Sequence, residues 1–517
     1  MTTPPIYTTS TSAGGIRLNE YPPSRRSSSH HAVSHKASSA KNAPYGDHPE
    51  VGPAKDGSHG ESGGMDDDEP LFDAVFGELS AKGPNYRAVG TMGAFVLITK
   101  ANLGLGVLSI PFVFMTLGIV PGVIVILVVQ TMIGYCAAAI GPFKRNHPEV
   151  YGLADAGYVF GGVWAKEYLY GVFSVNLIMI ISSAIVSISV ALNAISVHGA
   201  CTAIFVAVAA IAGCFMGSFR TLNKITWFGW VGLAFLIASV LTLTVAVGVQ
   251  DRPAAAPPTG PWDKDIKVVA KPPFAAAMGA VNAVMFSYGA TPTYFNIISE
   301  MRDPRGYTTA MASSIGLMTV VYLVIGNVVY HFTGQYVSSP SLGSAGPLMK
   351  KVCYGIALPA LFASLTIVTH IQSKHVFVRI LSTPSRQRHL VSNSWTHWLT
   401  WIGTLVGSSL IAYVIASAVP NFGSIISLIG ALIVPSAAII PYPLMWWHDN
   451  WRFRTSEERR EPKRQLLFVI NAIIVLVGLF ITGAGTYSAV EDIIASTAAG
   501  AGPWTCADNS NSVKKAE

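Results

Sequence analysis

The sequence predicts an all-α polytopic membrane protein, and three observations carry that reading. Hydrophobic residues make up 51% of the 517 residues and charged residues 12%, about half the charged share of ordinary soluble domains. Mean hydropathy is +0.46. The apolar residues are gathered into about eleven runs long enough to cross a bilayer. Two of those runs are interrupted by glycine and proline, the sixth span pairing with the first, and that is the pattern of a five-plus-five inverted repeat with an eleventh helix appended.

Residues 1–87 come first. They are rich in Ser, Gly, Pro and His and hold the acidic run Asp66-Asp67-Asp68-Glu69. Such a segment lacks the apolar residues for a core and is expected to be a disordered cytosolic tail. Residues 71–76 read as a short amphipathic helix. His30-His31 is no metal motif, and the five cysteines lack zinc spacing, so neither a metal site nor a cofactor is read.

The first span, 88–117, contains Thr99-Lys100-Ala101-Asn102-Leu103-Gly104-Leu105-Gly106 and then Pro111. Glycine lets the backbone leave the helix and proline removes a donor. Backbone freed in this way is tolerated at membrane depth only where protein or water encloses it. The second span is 119–141, and a polar connector covers 143–164. The third, fourth and fifth spans are 168–196, 200–217 and 225–250, and a Pro-rich loop, 251–273, separates the halves. The sixth, 274–298, is broken at Phe286-Ser287-Tyr288-Gly289-Ala290-Thr291-Pro292. Spans follow at 308–332, 352–380, 398–419, 422–447 and 466–490.

Orientation follows from the basic residues. Lys144, Arg145, Arg220, Lys224, Arg302, Arg305, Arg386, Arg388 and the group 452–464 fall on the side of the N-terminal tail. Positive-inside places that side in the cytosol. An odd span count then puts 491–517 outside as a short extracellular tail. Cys201 and Cys506 fall on that oxidising side and form a candidate disulfide, with Cys353 the competing partner.

The paired breaks form a site for a small zwitterion. The second half of the first span offers N–H groups near Leu105, Gly106 and Val107, which suit a carboxylate. The sixth span offers carbonyls near Phe286 and Ser287, which suit an ammonium. Asn102, Gly104, Gly289 and Thr291 complete the substrate-binding candidates. An enzyme reading fails for want of paired ionisable residues in facing spans. Gly104-Leu105-Gly106 lacks the third glycine and the preceding strand of a dinucleotide fingerprint. The net charge of +7 sits in short loops beside the spans and does not point to nucleic acid.

Gly104-Leu105-Gly106-Val107-Leu108-Ser109-Ile110-Pro111 resembles the G-x-G-x-L-x-x-P motif of the amino acid/auxin permease family. Glu300-Met301-Arg302-Asp303-Pro304 resembles that family's end of the sixth span, and residues 147–149, 344–348, 355–359 and 485–489 add to the likeness. Within the family the chain is most similar to fungal neutral amino acid permeases of the methyltryptophan-resistance type. The resemblance implies secondary active transport of amino acids driven by protons on the five-plus-five fold. It also implies that the eighth span lines the site, making Thr366 and Thr369 neighbours of Lys100. Lys100 stands where sodium-coupled relatives place a small polar ligand, so its ammonium reads as a substitute for the ion. His370 is a lesser proton-handling candidate. The expected function is a proton-coupled symporter of neutral amino acids, with the plasma membrane first and the vacuolar membrane second. The expected partners are the amino acid, protons and the bilayer. A nutrient sensor and a vacuolar exporter are the alternatives.

Overall fold

The computed structural model describes residues 71–73, 77–79 and 89–512, apart from 219–221, 258, 383–384, 387–388, 390–393, 499 and 501; for 71–73, 77–79 and 222–228 it describes the backbone alone. The expected disordered tail therefore lies outside the described residues except for two short strands. These are β1 (Leu71–Asp73) and β2 (Gly77–Leu79), an antiparallel pair with Leu71 opposite Leu79. Of the amphipathic helix expected over 71–76, residues 71–73 form β1 instead, and 74–76 lie outside the described residues.

The first expected span is two helices. α1 (Thr91–Asn102) is followed by a 3₁₀ turn at Leu105–Leu108 and by α2 (Ile110–Leu117), and the two halves bend by 44°. Pro111 lies in the first turn of α2, where its missing N–H costs nothing. α2 stops at Gly118, whose φ of +87° is a left-handed value; a Cβ there would meet Ala270 N at 2.7 Å. α3 (Ile119–Asn146) ends with Lys144 and Arg145 in its last turn, where cations complement the helix dipole.

α4 (Leu153–Ser196) takes in most of the expected polar connector. The Asp155 carboxylate accepts from Gly152 N–H at 3.3 Å and starts the helix. Gly162, at φ +68°, kinks the arm away from the membrane-spanning part. Residues 153–161 form a helical arm before that kink rather than an irregular connector. α5 (Thr202–Gly217) and α6 (Leu222–Val249) close the first half.

The second half begins with α7 (Phe274–Ser287), a 3₁₀ turn at Thr291–Thr293 and α8 (Tyr294–Ser299). α9 (Tyr307–Thr333), α10 (Pro347–Leu381) and α11 (Trp395–Ala418) follow. The tenth expected span is a third broken element. α12 (Phe422–Leu428) runs into π turns at Ile429–Ile433 and Pro435–Ile439 and then α13 (Pro441–Trp447), bent by 40°. Pro435, Pro441 and Pro443 signal that break. A short α14 (Ser456–Arg459) leads to α15 (Pro462–Ala498), which overruns the expected end at residue 490.

Among the described residues, seven helices are long and apolar enough to cross a membrane, and nine if each bent pair is one span. Buried residues make up 78% of the most apolar window of α4 against 22% for α15, so α4 is central and α15 peripheral. α10 packs on both α4 and α6. Beyond α15 the tail folds back on the helices. Cys506 is disulfide-bonded to Cys201, and Cys353 is a buried free thiol. Asn193 Nδ2 donates to Asn509 Oδ1 at 2.8 Å, Asn509 Nδ2 to Ser189 Oγ at 3.0 Å, and Thr202 Oγ1 to the Ala507 carbonyl at 2.7 Å.

Candidate functional site

The two breaks meet. Gly106 lies so close to the end of α7 that a Cβ on it would stand 2.7 Å from Ser287 Cα. Gly104, two residues earlier, has open space at the same position. Gly289 faces the third break, where a Cβ would come within 2.7 Å of Val434 Cγ2. Leu105, Gly106 and Val107 are all buried. They open a 3₁₀ turn, so their N–H groups have no partner inside it.

Three side chains tie the breaks together. Asn102, the last residue of α1, donates through Nδ2 to Ile98 O at 3.0 Å and to the Tyr294 hydroxyl at 2.6 Å. Its Oδ1 accepts from Ala290 N–H at 3.4 Å. The Tyr322 hydroxyl, on α9, lies 3.2 Å from the Asn102 carbonyl and 3.0 Å from the Ser287 carbonyl, so one proton serves the C-terminal ends of both α1 and α7. Tyr288 bonds Thr319 at 2.9 Å and packs edge-on against Tyr322 at 5.2 Å. Thr99 Oγ1 and Ser314 Oγ are 2.8 Å apart, a second link from α1 to α9.

The carbonyls expected to be open are partly used. Phe286 O accepts from Gly289 N–H at 3.1 Å and Ser287 O from Tyr322, each keeping a second lone pair. Thr291 Oγ1 is buried and has no partner among the described residues.

Lys100 sits in the last turn of α1, where the carbonyl end of the helix favours a cation. Its Nζ donates to Ser364 Oγ on α10 at 3.0 Å. The expected neighbours are placed elsewhere. Thr366 Oγ1 donates to its own helix at Phe362 O, Thr369 packs against Gly217 of α5, and His370 lies edge-on to Trp401 of α11 at 5.4 Å. At roughly 100° per residue, these three lie about 160°, 140° and 120° around α10 from Ser364, by the shorter way round. The structure thus brings α10 to Lys100 but through a different face.

One end of this core is fastened by backbone. Val89 N–H donates to Glu300 O at 3.1 Å and Arg302 N–H to Val89 O at 2.9 Å, joining the start of α1 to the residues after α8. Tyr151, between α3 and α4, donates its hydroxyl to Glu300 Oε1 at 3.2 Å. Burial raises the Glu300 carboxyl above its usual range, with the Tyr151 hydrogen bond and Lys374 opposing. Burial, together with the charge of Glu300, pushes the Tyr151 hydroxyl up as well.

The family model described as "Transmembrane amino acid transporter protein" matches residues 87–488. The chain belongs to this family of transmembrane amino acid transporters. A "Transmembrane transporter" of Gibberella moniliformis is 33% identical over 88% of this chain and 95% of its own length. An "N amino acid transport system protein" of Neurospora crassa is 31% identical over 84% of this chain and 90% of its own. "Amino acid transporter AVT1J" of Arabidopsis thaliana is 22% identical over 76% and 89%. The solved structure of MhsT in complex with L-phenylalanine overlays 75% of this chain and 98% of its own, at 13% identity and a TM-score of 0.47.

The amino acid transporter is thus a multi-pass membrane protein whose first and sixth apolar segments are broken and in contact. Sequence reading missed Tyr288, Tyr294, Tyr322, Ser314 and Ser364 as parts of this arrangement. The tyrosines carried a signal, since a hydroxyl buried in an apolar span needs a partner. The two serines carried none.

Proposed function

We propose that this transporter is a proton-coupled symporter of neutral amino acids, aliphatic or aromatic, working at the plasma membrane. In this reading α1/α2 and α7/α8 are the equivalent broken spans of two five-helix repeats of opposite topology, with α15 outside them. The substrate carboxylate binds at the N–H groups of Leu105, Gly106 and Val107. The ammonium binds at the second lone pairs of Phe286 O and Ser287 O. Thr291 Oγ1 supplies a further polar contact. The side chain of the substrate meets Leu105, Val107, Phe286 and the tyrosines, which offer a charged group no counter-ion.

The observation that carries the reading is the contact between the two breaks, bridged by Asn102 and Tyr322. Lys100 supports the choice of driving ion. A fixed cation at the C-terminal end of α1 holds the position a sodium ion would need. Its proton, alternately exposed to the two sides, then replaces the ion.

The substrate class is tested by competition in proteoliposomes. Unlabelled neutral amino acids should displace a labelled neutral one, while aspartate, glutamate, lysine and arginine should not. Equal displacement by charged amino acids contradicts the neutral assignment.

A further inference from the structure

A second cluster lies where the end of α3 meets the end of α13, the second half of the third broken span. His147 follows α3, and His448 and Asp449 follow α13, 302 residues further along. His147 Nε2 lies 2.8 Å from Asp449 Oδ1, and His448 Nδ1 lies 2.9 Å from the same oxygen. One ligand atom from each residue falls within 4.8 Å of the other two.

Asp449 Oδ1 is shared by two imidazole nitrogens, His147 Nε2 and His448 Nδ1, while His147 Nδ1 stands 3.7 Å from the exposed Glu149 Oε1, outside hydrogen-bond range. Asp449 is held in turn: Asn146 Nδ2 donates to Oδ2 at 2.9 Å, leaving Oδ1 to the two histidines. An amide behind a ligating carboxylate is an outer partner of the kind that orients metal ligands.

We propose that His147, His448 and Asp449 bind a divalent transition metal of the zinc class. Two imidazoles and one carboxylate are a donor set for such an ion, with a solvent molecule completing four ligands. Ligands on one tetrahedral ion stand about 3.3 Å apart, so the two short contacts open by roughly half an ångström to admit it. The side chains are 20%, 12% and 10% exposed, which leaves the ion a path from solvent. Bound there, it reinforces the junction between the end of α3 and the end of the tenth span, which already pack and hydrogen-bond to each other.

The full-length protein, purified in detergent and stripped with a chelator, is titrated with Zn²⁺ against a chromophoric competitor. Histidines elsewhere contribute equally to every variant, so the difference between proteins is the readout. The wild type should bind one more Zn²⁺ per chain than His448→Ala. Asn146→Ala, which removes the amide behind Asp449, should keep the site and weaken it by about 10–100-fold. Zn²⁺ should raise the melting temperature of the wild type and leave that of His448→Ala unchanged. Where His448→Ala fails to fold, His147→Gln takes the same measurements. Equal stoichiometry and affinity in the wild type and the folded variants overturns the proposal.

Discussion

Replacing Gly106 by alanine adds one methyl group at the point where the two breaks touch. The added carbon would sit 2.7 Å from both Ser287 Cα and Ser287 Oγ and 2.9 Å from Ser287 Cβ. Carbon atoms rest at about 3.5–4.0 Å, so α7 must retreat by roughly an ångström. The obstacle includes backbone, which a rotamer change cannot move. Overpacking of this kind costs about 1–3 kcal/mol, or roughly 5–150-fold in an equilibrium constant. Gly104→Ala is the matched control, because a Cβ there meets nothing within 4 Å. Both variants are assayed for uptake of a labelled neutral amino acid in proteoliposomes at equal protein density. Gly106→Ala should raise KM or lower kcat by a factor in that range, while Gly104→Ala stays within about twofold. Wild-type kinetics in Gly106→Ala would refute the meeting of the breaks as the substrate site.

Tyr322→Phe removes the one hydroxyl shared by the carbonyls of Asn102 and Ser287; the Asn102 carbonyl keeps the Gly104 N–H at 2.7 Å, and the Ser287 carbonyl loses its Tyr322 donor. A loss of about 1–3 kcal/mol follows, read as a lower melting temperature and weaker substrate binding; an unchanged melt argues against the bridge. Glu300 prefers its protonated form when buried. The stability it contributes is therefore present below the unfolded carboxylate value and lost as pH rises through the higher folded value. Melting curves of the wild type across that window should fall with pH more than those of Glu300→Gln, and parallel curves count against it. Cys506 joined to Cys201 holds the tail against α5. Cys506→Ser should lower the melting temperature and free one alkylatable thiol at Cys201, and reductant should lower it and free two, at Cys201 and Cys506; alkylation of unreduced wild type at Cys506 contradicts the pairing.

Composition and apolar periodicity made the helical membrane fold legible, and glycine with proline marked the breaks at Gly104–Gly106 and Gly289. What lay hidden depends on geometry between distant segments. The face of α10 that meets Lys100 is set by how that helix rotates against α4 and α6, so Ser364 and not Thr366 or Thr369 is the contact. The bend at Val434–Pro435 was visible as proline but masked by an unbroken apolar run. Residues 143–164 read as a polar connector because polarity separates membrane from water, not helix from coil, and α4 begins within them at Leu153. His147 and Asp449 are 302 residues apart, beyond the reach of any spacing rule.

The central claim is that Lys100, in the place of a bound ion, couples amino acid movement to protons. Uptake of a labelled neutral amino acid is measured in proteoliposomes under an imposed proton gradient or an imposed sodium gradient, for the wild type and Lys100→Ala. Accumulation in the wild type should follow the inward proton gradient and ignore sodium. Lys100→Ala should lose accumulation while retaining exchange of substrate across the membrane. Accumulation that follows sodium, or full pH-driven accumulation in Lys100→Ala, would contradict the account.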